Sequence, residues 1–307
     1  MANIRTDLAL EARENLPQLQ GVAVDVNRDD QDITITRVEI QTQEAAARLG
    51  KPRGVYVTLE VPSLRKRDPL LEERVSHCMA EQMRRLSPSI GREDAVLVAG
   101  LGNWNITPDS LGPKVVDRVM VTRHLLEVIP DEVDARVRPV CALAPGVLGI
   151  TGLETLEVLS GVVSRLHPRL VIVVDALAAR TTSRMSTTIQ ISNTGIQPGS
   201  GIGNKRTPID ESTLGVPVLS VGVPLVVYAA TIVTDTIALL EGRSEEQPDR
   251  ELEQSLRNIV SEHMGELVVT PKEVDTHVDD ASRIVAMGLN LMIHEGVSAE
   301  EVRRFLH

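Results

Sequence analysis

Hydrophobic and polar positions in the first part of the chain favour strands, followed by one helix. Gly21–Asn27 and Ile33–Glu39 are typical of two strands joined by a polar turn, and Gly54–Glu60 is typical of a third. Apolar residues at helical spacing then predict a helix over Pro69–Leu86, with Asp68 as its N-cap. Residues 21–60 are therefore expected to form a β-rich appendage to whatever follows.

From Val96 onward the pattern changes to strands that alternate with helices. The predicted elements are a strand at Val96–Val98, a helix from Pro113 to Val128, a strand at Arg136–Leu143, a helix opened by a capping box at Thr151–Glu154, and a fully apolar strand at Leu170–Val174. Strands that alternate with helices predict an α/β fold with a mainly parallel twisted sheet flanked by helices.

The last third of the chain continues the same fold. We expect a strand at Val216–Val223, closed by Pro224, and a long apolar helix over Leu225–Leu240. A second capping box at Ser298–Glu301 predicts a last short helix, and the acidic run Asp275–Asp280 is expected to face solvent. No repeat or linker interrupts the chain, so residues 1–307 are predicted to form one domain.

Composition narrows the class of protein. The chain has 307 residues, a formal net charge of −11 and two cysteines outside any C-x-x-C motif. The negative charge argues against nucleic-acid binding, which needs clustered lysine and arginine. The two cysteines suit a reducing cytoplasm, and no apolar run reaches the ~18–20 residues of a membrane span. We expect a cytoplasmic protein that binds neither nucleic acid nor membrane.

Two aspartates follow two of the predicted strands. Asp109 lies in the loop after Val96–Val98, and Asp175 directly follows Leu170–Val174. Because the carboxyl ends of parallel strands form the ligand edge of a sheet, both carboxylates are expected at that edge. Two adjacent carboxylates share a proton and can do acid–base work on a peptide bond. The alternative is structural, with Asp109 a loop acid and Asp175 a helix cap.

Two glycine-rich stretches favour turns over nucleotide sites. Gly100 and Gly102 begin like a dinucleotide fingerprint, but Asn105 stands at the third glycine position. The loop after Gly199 fails the phosphate-loop pattern, and it is interpreted as a wall of the substrate edge, with Lys205 and Arg206 available for substrate acids. We predict no cofactor.

Other catalytic chemistries find little support in the sequence. No H-E-x-x-H motif occurs, and none of the seven histidines lies within a helical turn of Asp109 or Asp175, so no metal ligands are predicted. Cys78 falls within a predicted helix and Cys141 within a predicted strand, and there is no G-x-S-x-G elbow. A cysteine or serine nucleophile is therefore disfavoured.

Long sequence blocks distributed along nearly the whole chain resemble a known family. The blocks are IRTDLA (Ile4–Ala9), GLGNWNITPDSLGPK (Gly100–Lys114), RPVCALAPGVLGITGLET (Arg138–Thr155), VVDALAAR (Val173–Arg180), TIQISNTGIQPGSGIGNKR (Thr188–Arg206) and VTPKEVD (Val269–Asp275). Together they resemble the germination protease family of spore-forming bacteria, whose members degrade small acid-soluble spore proteins.

The resemblance implies an atypical aspartic-type endopeptidase of the spore core, made as a zymogen and assembled as a homotetramer. The two catalytic aspartates of the family fall on Asp109 and Asp175. Family substrates are cut after an acid and before a large apolar residue and alanine, which places the processing site of this chain at Asp7–Leu8. Residues 1–7 are then a propeptide.

Departures and alternatives remain at this point. Tyr228 stands where the family usually has an acid, although Asp235 is retained. The glycine motif also resembles hydrogenase-maturation endopeptidases, which bind nickel, so a metal-dependent endopeptidase that uses the same carboxylates is the main alternative. A peptide-binding scaffold without catalysis is the third interpretation.

Overall fold

In the part of the chain that the structure describes, nine strands form a single sheet with helices on both of its faces. The computed structural model describes residues 6–29, 32–199, 206–240 and 267–306, together with residues 242, 255–256, 258–259 and 262–263. The predicted α/β fold is confirmed. Among these residues, no helix has the length and apolar character that crossing a membrane requires.

The sheet combines an antiparallel part with a parallel part. Its strands are β1 (Val22–Asp29), β2 (Ile33–Ile40), β3 (Gly54–Glu60), β4 (Val96–Gly100), β5 (Val140–Leu143), β6 (Leu170–Ala179), β7 (Thr188–Ser192), β8 (Val218–Tyr228) and β9 (Val268–Val269). Their spatial order is β1-β2-β3-β7-β8-β6-β4-β5, and β9 pairs with β8. Parallel pairing joins β8, β6, β4 and β5, and the remaining pairs are antiparallel.

The β-rich residues 21–60 belong to the same sheet as the rest of the chain. The edge of β3 pairs with β7 in antiparallel register, with Tyr56 opposite Ser192 and Thr58 opposite Gln190. The exposed N–H and C=O groups of a free strand edge need partners, and β7 supplies them here. The N-terminal strands therefore extend the sheet beyond its parallel part, on the side of β8.

The helices pack in two layers. They are α1 (Ala9–Glu14), α2 (Gln43–Leu49), α3 (Pro69–Leu86), α4 (Leu111–Val116), α5 (Arg123–Val128), α6 (Leu148–Thr151), α7 (Thr155–Leu166), α8 (Glu211–Leu214), α9 (Ala229–Leu240), α10 (Val274–Ile293) and α11 (Ala299–Leu306). Helices α3, α4 and α10 share the largest apolar cluster with one face of the sheet, and α7 and α8 pack on the other face. Strand β6 is buried on both faces, as its continuous apolar run predicted.

One predicted helix is two helices. The expected helix from Pro113 to Val128 is wrong, because α4 ends at Val116 and α5 begins at Arg123. Thr122 lies between them and is tied to the sheet: its backbone N–H donates to the Val140 carbonyl at 3.1 Å, and its hydroxyl accepts from the Val140 N–H at 3.0 Å. These contacts hold Thr122 against β5 directly before α5 begins.

The first predicted capping box is displaced by three residues. Thr151 ends the short helix α6, and its hydroxyl accepts a hydrogen bond from the Leu153 N–H at 3.2 Å. Helix α7 instead begins after Glu154, which forms its own capping box with Glu157. The box at Ser298–Glu301 is confirmed, since Ser298 Oγ accepts from the Glu301 N–H and Glu301 accepts from the Ser298 N–H.

Two central strands are longer than predicted. Strand β6 passes through Asp175 and ends at Ala179, and β8 passes through Pro224 and ends at Tyr228. The two strands pair in parallel along this extra length, with a register shift between Leu177 and Ala178. The pairing is a tertiary contact that keeps both segments extended, and the shift falls where Pro224 has no N–H to donate.

The acidic run Asp275–Asp280 is only partly a solvated face. Asp280 is buried and forms an ion pair with Arg67, whose Nε lies 2.8 Å from a carboxylate oxygen. Asp279 pairs with Arg118 at 2.7 Å and with Arg283 at 2.6 Å. The expectation of solvent exposure is wrong for Asp280, whereas the Asp279 side chain is 37 % exposed; both residues link α10 to its neighbours.

Candidate active site

Asp109 ends a one-turn 3₁₀ helix in the loop after β4. The loop closes on itself, because the Asn103 N–H donates to the Asp109 carbonyl at 2.9 Å and the Asp109 N–H donates to the Ile106 carbonyl at 2.8 Å. Burial raises the pKa of the Asp109 carboxyl to about 6, although a hydrogen bond from the Asn103 backbone opposes the rise. A carboxylate with a pKa near neutrality is suited to accept a proton at physiological pH.

Glycines allow this loop to fold tightly over the end of β4. Gly102 has a φ of +111°, and a Cβ at this position would lie 1.9 Å from the Asp109 carbonyl oxygen. A Cβ on Gly100 would lie 2.1 Å from the Gly112 carbonyl oxygen, where α4 crosses the strand. The two glycines therefore bring Asp109 to the sheet edge.

Asp175 lies inside β6, four residues before the strand ends. The prediction that it directly follows the strand is therefore wrong. Its side chain shares a face of β6 with the apolar residues Val173 and Leu177, which belong to two different clusters. Asp175 occupies the position between these clusters and is 8 % exposed.

The two carboxyl groups are close enough to affect each other. Burial raises the pKa of Asp175 well above its usual range, and the charges of Asp109 and Asp7 raise it further. One hydrogen bond, from the Ala176 N–H at 2.9 Å, opposes this rise. Asp175 is the more deeply buried of the two and has two acidic neighbours, so the rise in its pKa favours the protonated form of its carboxyl group.

The N-terminal segment lies beside this pair. The Asp7 N–H donates to the Ala178 carbonyl at 3.0 Å, and a carboxylate oxygen of Asp7 accepts from the Ala178 N–H at 2.9 Å. Leu8 is fully buried in an apolar pocket whose buried members are Leu177, Ala179 and Val227. The structure therefore holds the predicted processing bond, Asp7–Leu8, against the strand that carries Asp175.

A buried acid four residues after Asp7 fixes the rest of the segment. Both carboxylate oxygens of Glu11 accept backbone N–H groups at the end of β6, from Arg180 at 2.7 Å and from Thr181 at 3.1 Å. The guanidinium of Arg184 lies 3.6 Å from Glu11 and also pairs with Glu14 at 2.6 Å. The contacts of Glu11 could not be read from the sequence, and Arg184 was not identified there, because a single arginine outside the family motifs gives no signal.

A cavity of about 440 Å³ opens beside the Asp7 backbone. Its floor is the face of the sheet that carries Gln190, Ser220 and Gly222, and its rim includes Lys51 from the turn after α2. The lining combines apolar and polar side chains, as pockets for peptides do. Neither Lys51 nor Gln190 was identified from the sequence.

The two predicted substrate cations have different outcomes. Lys205 lies outside the described residues. Arg206 is described, and its Nη1 lies 3.3 Å from a carboxylate oxygen of Glu154 at the start of α7. Arg206 therefore has an acidic partner within the chain, and its proposed contact with substrate acids would compete with that partner.

The grouping of possible metal ligands also bears on the site. Within the described ranges, no three or more histidine, cysteine, aspartate or glutamate side chains come together in a way that could hold a metal ion. Asp175 has Asp109 and Asp7 as acidic neighbours, but these three residues do not form such a group.

Comparison with known proteins covers both candidate aspartates. The family model described as germination protease matches residues 2–258 and 239–306. The chain belongs to the germination protease family. The germination protease of Clostridium perfringens (strain ATCC 13124) is 43% identical over 326 residues, covering 100% of each chain. That of Caldanaerobacter subterraneus subsp. tengcongensis is 46% identical and covers 99% of this chain and 98% of its own.

A relative with lower sequence identity is also similar over nearly the whole length of both chains. The protein of Bacillus subtilis (strain 168) is 40% identical over 357 residues, which cover 99% of this chain and 97% of the relative. The resemblance inferred from the sequence blocks is thereby confirmed at the level of the family.

The departure at Tyr228 falls where β8 meets α9. Tyr228 ends β8 and is buried, and Asp235 lies in α9, where its carboxylate accepts from the Thr182 N–H at 3.4 Å. Helix α9 packs against the short 3₁₀ turn Thr182–Arg184, so Asp235 links the helix to that turn.

Proposed function

We propose that this protein is the endopeptidase that begins the degradation of small acid-soluble spore proteins during germination, with Asp109 and Asp175 activating water. The observation that carries the proposal is the placement of half-buried Asp109 in the loop after β4 near buried Asp175 within the neighbouring β6, where the pKa values of both carboxyl groups are raised. Family membership supports the protease activity. The test is cleavage of such a protein and its loss in variants of the two aspartates.

The two carboxyl groups have different tasks in this mechanism. Asp109, which ionises near pH 6, takes a proton from water as the water oxygen attacks the peptide carbonyl carbon. Asp175 holds a proton in its buried position and can give it to the bound peptide. The pair thus supplies a base and an acid at the same pH.

The substrate class is supported by the N-terminal segment. The segment Thr6–Glu11 resembles the cleavage sites of the family's substrates, because it contains an acid, an apolar residue, alanine and a further acid in that order. Each feature has a partner, since Asp7 binds the Ala178 N–H, Leu8 fills an apolar pocket and Glu11 binds the end of β6. We propose that the same contacts bind the cleavage site of a spore protein.

We further propose that the full-length chain is a zymogen that is processed at Asp7–Leu8. Residues 6–8 occupy the contacts beside Asp175 that a substrate would use, so the full-length chain is expected to be inactive. N-terminal sequencing of active protein should give Leu8 as the first residue. Fully active protein that retains Met1 would disprove the zymogen, and Asp109→Asn material provides the unprocessed control.

Assembly and location follow from the family resemblance. We propose a homotetramer in the cytoplasm of the spore core, where the proposed substrates would be found. Light scattering on the purified chain measures the number of subunits, and a monomer at working concentration would contradict the tetramer.

Gly102→Ala is expected to lower the rate of peptide cleavage by roughly a hundredfold, because misplacing a reacting group by about 1 Å can cost that much. The new Cβ would meet the Asp109 carbonyl oxygen and push the catalytic loop outward. The measurement is the cleavage rate of the processed protein.

A matched control separates this clash from backbone strain. Gly215 has a similar positive φ, +72°, but a Cβ there would have no neighbour within 4 Å. Gly215→Ala should therefore keep nearly full activity. Equal activity losses in the two variants would refute the displacement of Asp109.

A further inference from the structure

The carbonyl oxygen of Asp7 accepts hydrogen bonds from two side chains. Lys51 Nζ lies 3.0 Å from it, and Gln190 Nε2 also lies 3.0 Å from it. This oxygen belongs to the Asp7–Leu8 peptide bond. A carbonyl that receives a cationic donor and a neutral donor is polarised, because both donors bind more strongly as negative charge grows on the oxygen.

The orientation of the Gln190 side-chain amide is fixed by the same segment. Its Oε1 accepts from the Ala9 N–H at 2.7 Å, while its Nε2 donates to the Asp7 carbonyl. A backbone N–H can only donate and a carbonyl can only accept, so the reverse orientation would lose both bonds. Gln190 therefore spans the Asp7–Leu8 bond with its donor on the carbonyl side.

Strand register brings this amide to the carboxyl pair. Asp175 is paired with Gly222 on β8, and Gly222 is paired with Gln190 on β7. Paired residues point to the same face, and neighbouring strands are about 4.8 Å apart, so Asp175 and Gln190 flank a gap of roughly 10 Å. Gly222 adds no side chain to this gap, and the side chain of Leu177 covers it, since a Cβ on Gly222 would lie 2.5 Å from Leu177 Cγ. The cavity beside Asp7 is lined by Gln190, Gly222 and Leu177.

Lys51 reaches the gap from a separate element. It follows Gly50, which ends α2 in the left-handed conformation, and its backbone N–H donates to the Ala46 carbonyl at 3.2 Å. Its ammonium group also donates to the Thr6 carbonyl at 3.0 Å. A helix end with this turn holds the base of the side chain in place, which leaves only the flexible stem to be ordered by the peptide.

We propose that Lys51 and Gln190 are further catalytic residues, which bind the oxygen of the scissile carbonyl and stabilise its negative charge in the tetrahedral intermediate. This inference rests on the proposed cleavage at Asp7–Leu8 by Asp109 and Asp175. The same two residues would bind the corresponding carbonyl of a protein substrate. Their substrate is thus a peptide bond that follows an acidic residue.

The proposed hydrolysis has two steps, attack of water on the carbonyl carbon and loss of the amine. Water loses a proton to Asp109 and forms a C–O bond, while the electron pair of the carbonyl moves to the oxygen held by Lys51 and Gln190. That pair returns as the C–N bond breaks, and the proton of Asp175 goes to the leaving nitrogen. The products are a carboxylic acid and an amine. Transfer of the proton from Asp109 to Asp175 then restores the starting state of the pair.

Kinetics of the processed protein test the proposal with a synthetic peptide of residues 4–14 of this sequence as substrate. Lys51→Met and Gln190→Glu should each lower kcat by about 10²-fold, the usual effect of losing one donor to such an oxygen. KM should change by less than about threefold, since the ground-state carbonyl gains little from either donor. Lys51→Arg, which keeps a cationic donor, should recover part of kcat.

Controls make the outcomes distinct. Arg48→Met removes an exposed cation from α2, the helix that ends just before Lys51, and should leave kcat unchanged. A rise in KM with unchanged kcat in Lys51→Met would overturn the proposal, because it indicates binding alone. Active Asp109→Asn and Asp175→Asn variants would instead overturn the carboxyl pair. Should Gln190→Glu fail to fold, Lys51→Met and Lys51→Arg suffice, since Lys51 is partly exposed.

Discussion

Asp109→Asn and Asp175→Asn are each expected to lower the rate of cleavage of a small acid-soluble spore protein by roughly 10³-fold or more. An amide at position 109 cannot take a proton from water, and an amide at position 175 cannot give one to the leaving nitrogen. Asparagine has nearly the shape of aspartate, so both variants should fold. Mass spectrometry of the fragments over time measures the rate.

The control for these variants is Asp117→Asn, which removes an exposed carboxylate just after α4 and should cleave at the wild-type rate. Near-wild-type cleavage by either site variant would disprove the carboxyl pair. The same assay separates the alternatives. Activity that chelation abolishes and a divalent ion restores would indicate a metal-dependent enzyme, and an inactive processed wild-type protein would indicate a peptide-binding scaffold.

Arg184→Met is expected to destabilise the protein by about 3–5 kcal/mol, the usual effect of removing one partner from a buried charge network. Arg184 is 7 % exposed, and its guanidinium binds Glu14 through two nitrogens and Glu60 through Nε at 2.9 Å. Methionine fills similar space but leaves Glu11 without its buried cation. The free energy of unfolding in urea measures the loss.

A surface arginine with similar chemistry provides the comparison. Arg136 binds Asp134 and Glu301 at 2.7 Å each, but all three side chains are more than 40 % exposed. Solvent screens such pairs, so Arg136→Met should leave the urea midpoint nearly unchanged. Similar losses in the two variants would show that burial of the Arg184 network does not determine its contribution.

Several elements were predictable because their signals are local. The helix Pro69–Leu86 has the predicted bounds, and Asp68 caps it by accepting the Leu70 N–H at 3.0 Å. The strand Gly54–Glu60 also has its predicted bounds. A cap, a proline in the first turn and a periodic apolar face act within a few residues, so the sequence contains the whole cause.

Errors occurred where a distant partner decides the conformation. The residues after Asp175 continue as a strand because β8 pairs with them, and Pro224 is accommodated at the register shift between the two strands. The helix expected to reach Val128 is divided into α4 and α5, and between them Thr122 is held by β5. In both cases a contact between segments far apart in the chain outweighs local propensity.

The residues of the candidate site likewise include some that the sequence could identify and some that it could not. Asp109 and Asp175 could be singled out because each follows an apolar strand segment, and the glycines before Asp109 mark the turn that positions it. Lys51 and Gln190 could not, since they come from an N-terminal helix end and from β7, far apart in the sequence. Only the register β6-β8-β7 brings an amide, a glycine and a carboxyl into one row.

The sequence by itself thus determined the α/β class, the family and the two acids of the proposed catalytic pair, because strand–helix alternation and long motifs are properties of contiguous residues. The tertiary structure alone decided the deep burial that raises the pKa of Asp175, and the course of Thr6–Glu11 across the sheet edge. A pKa and a hydrogen-bond partner depend on what surrounds a group in space, and residues from every part of the chain contribute to those surroundings.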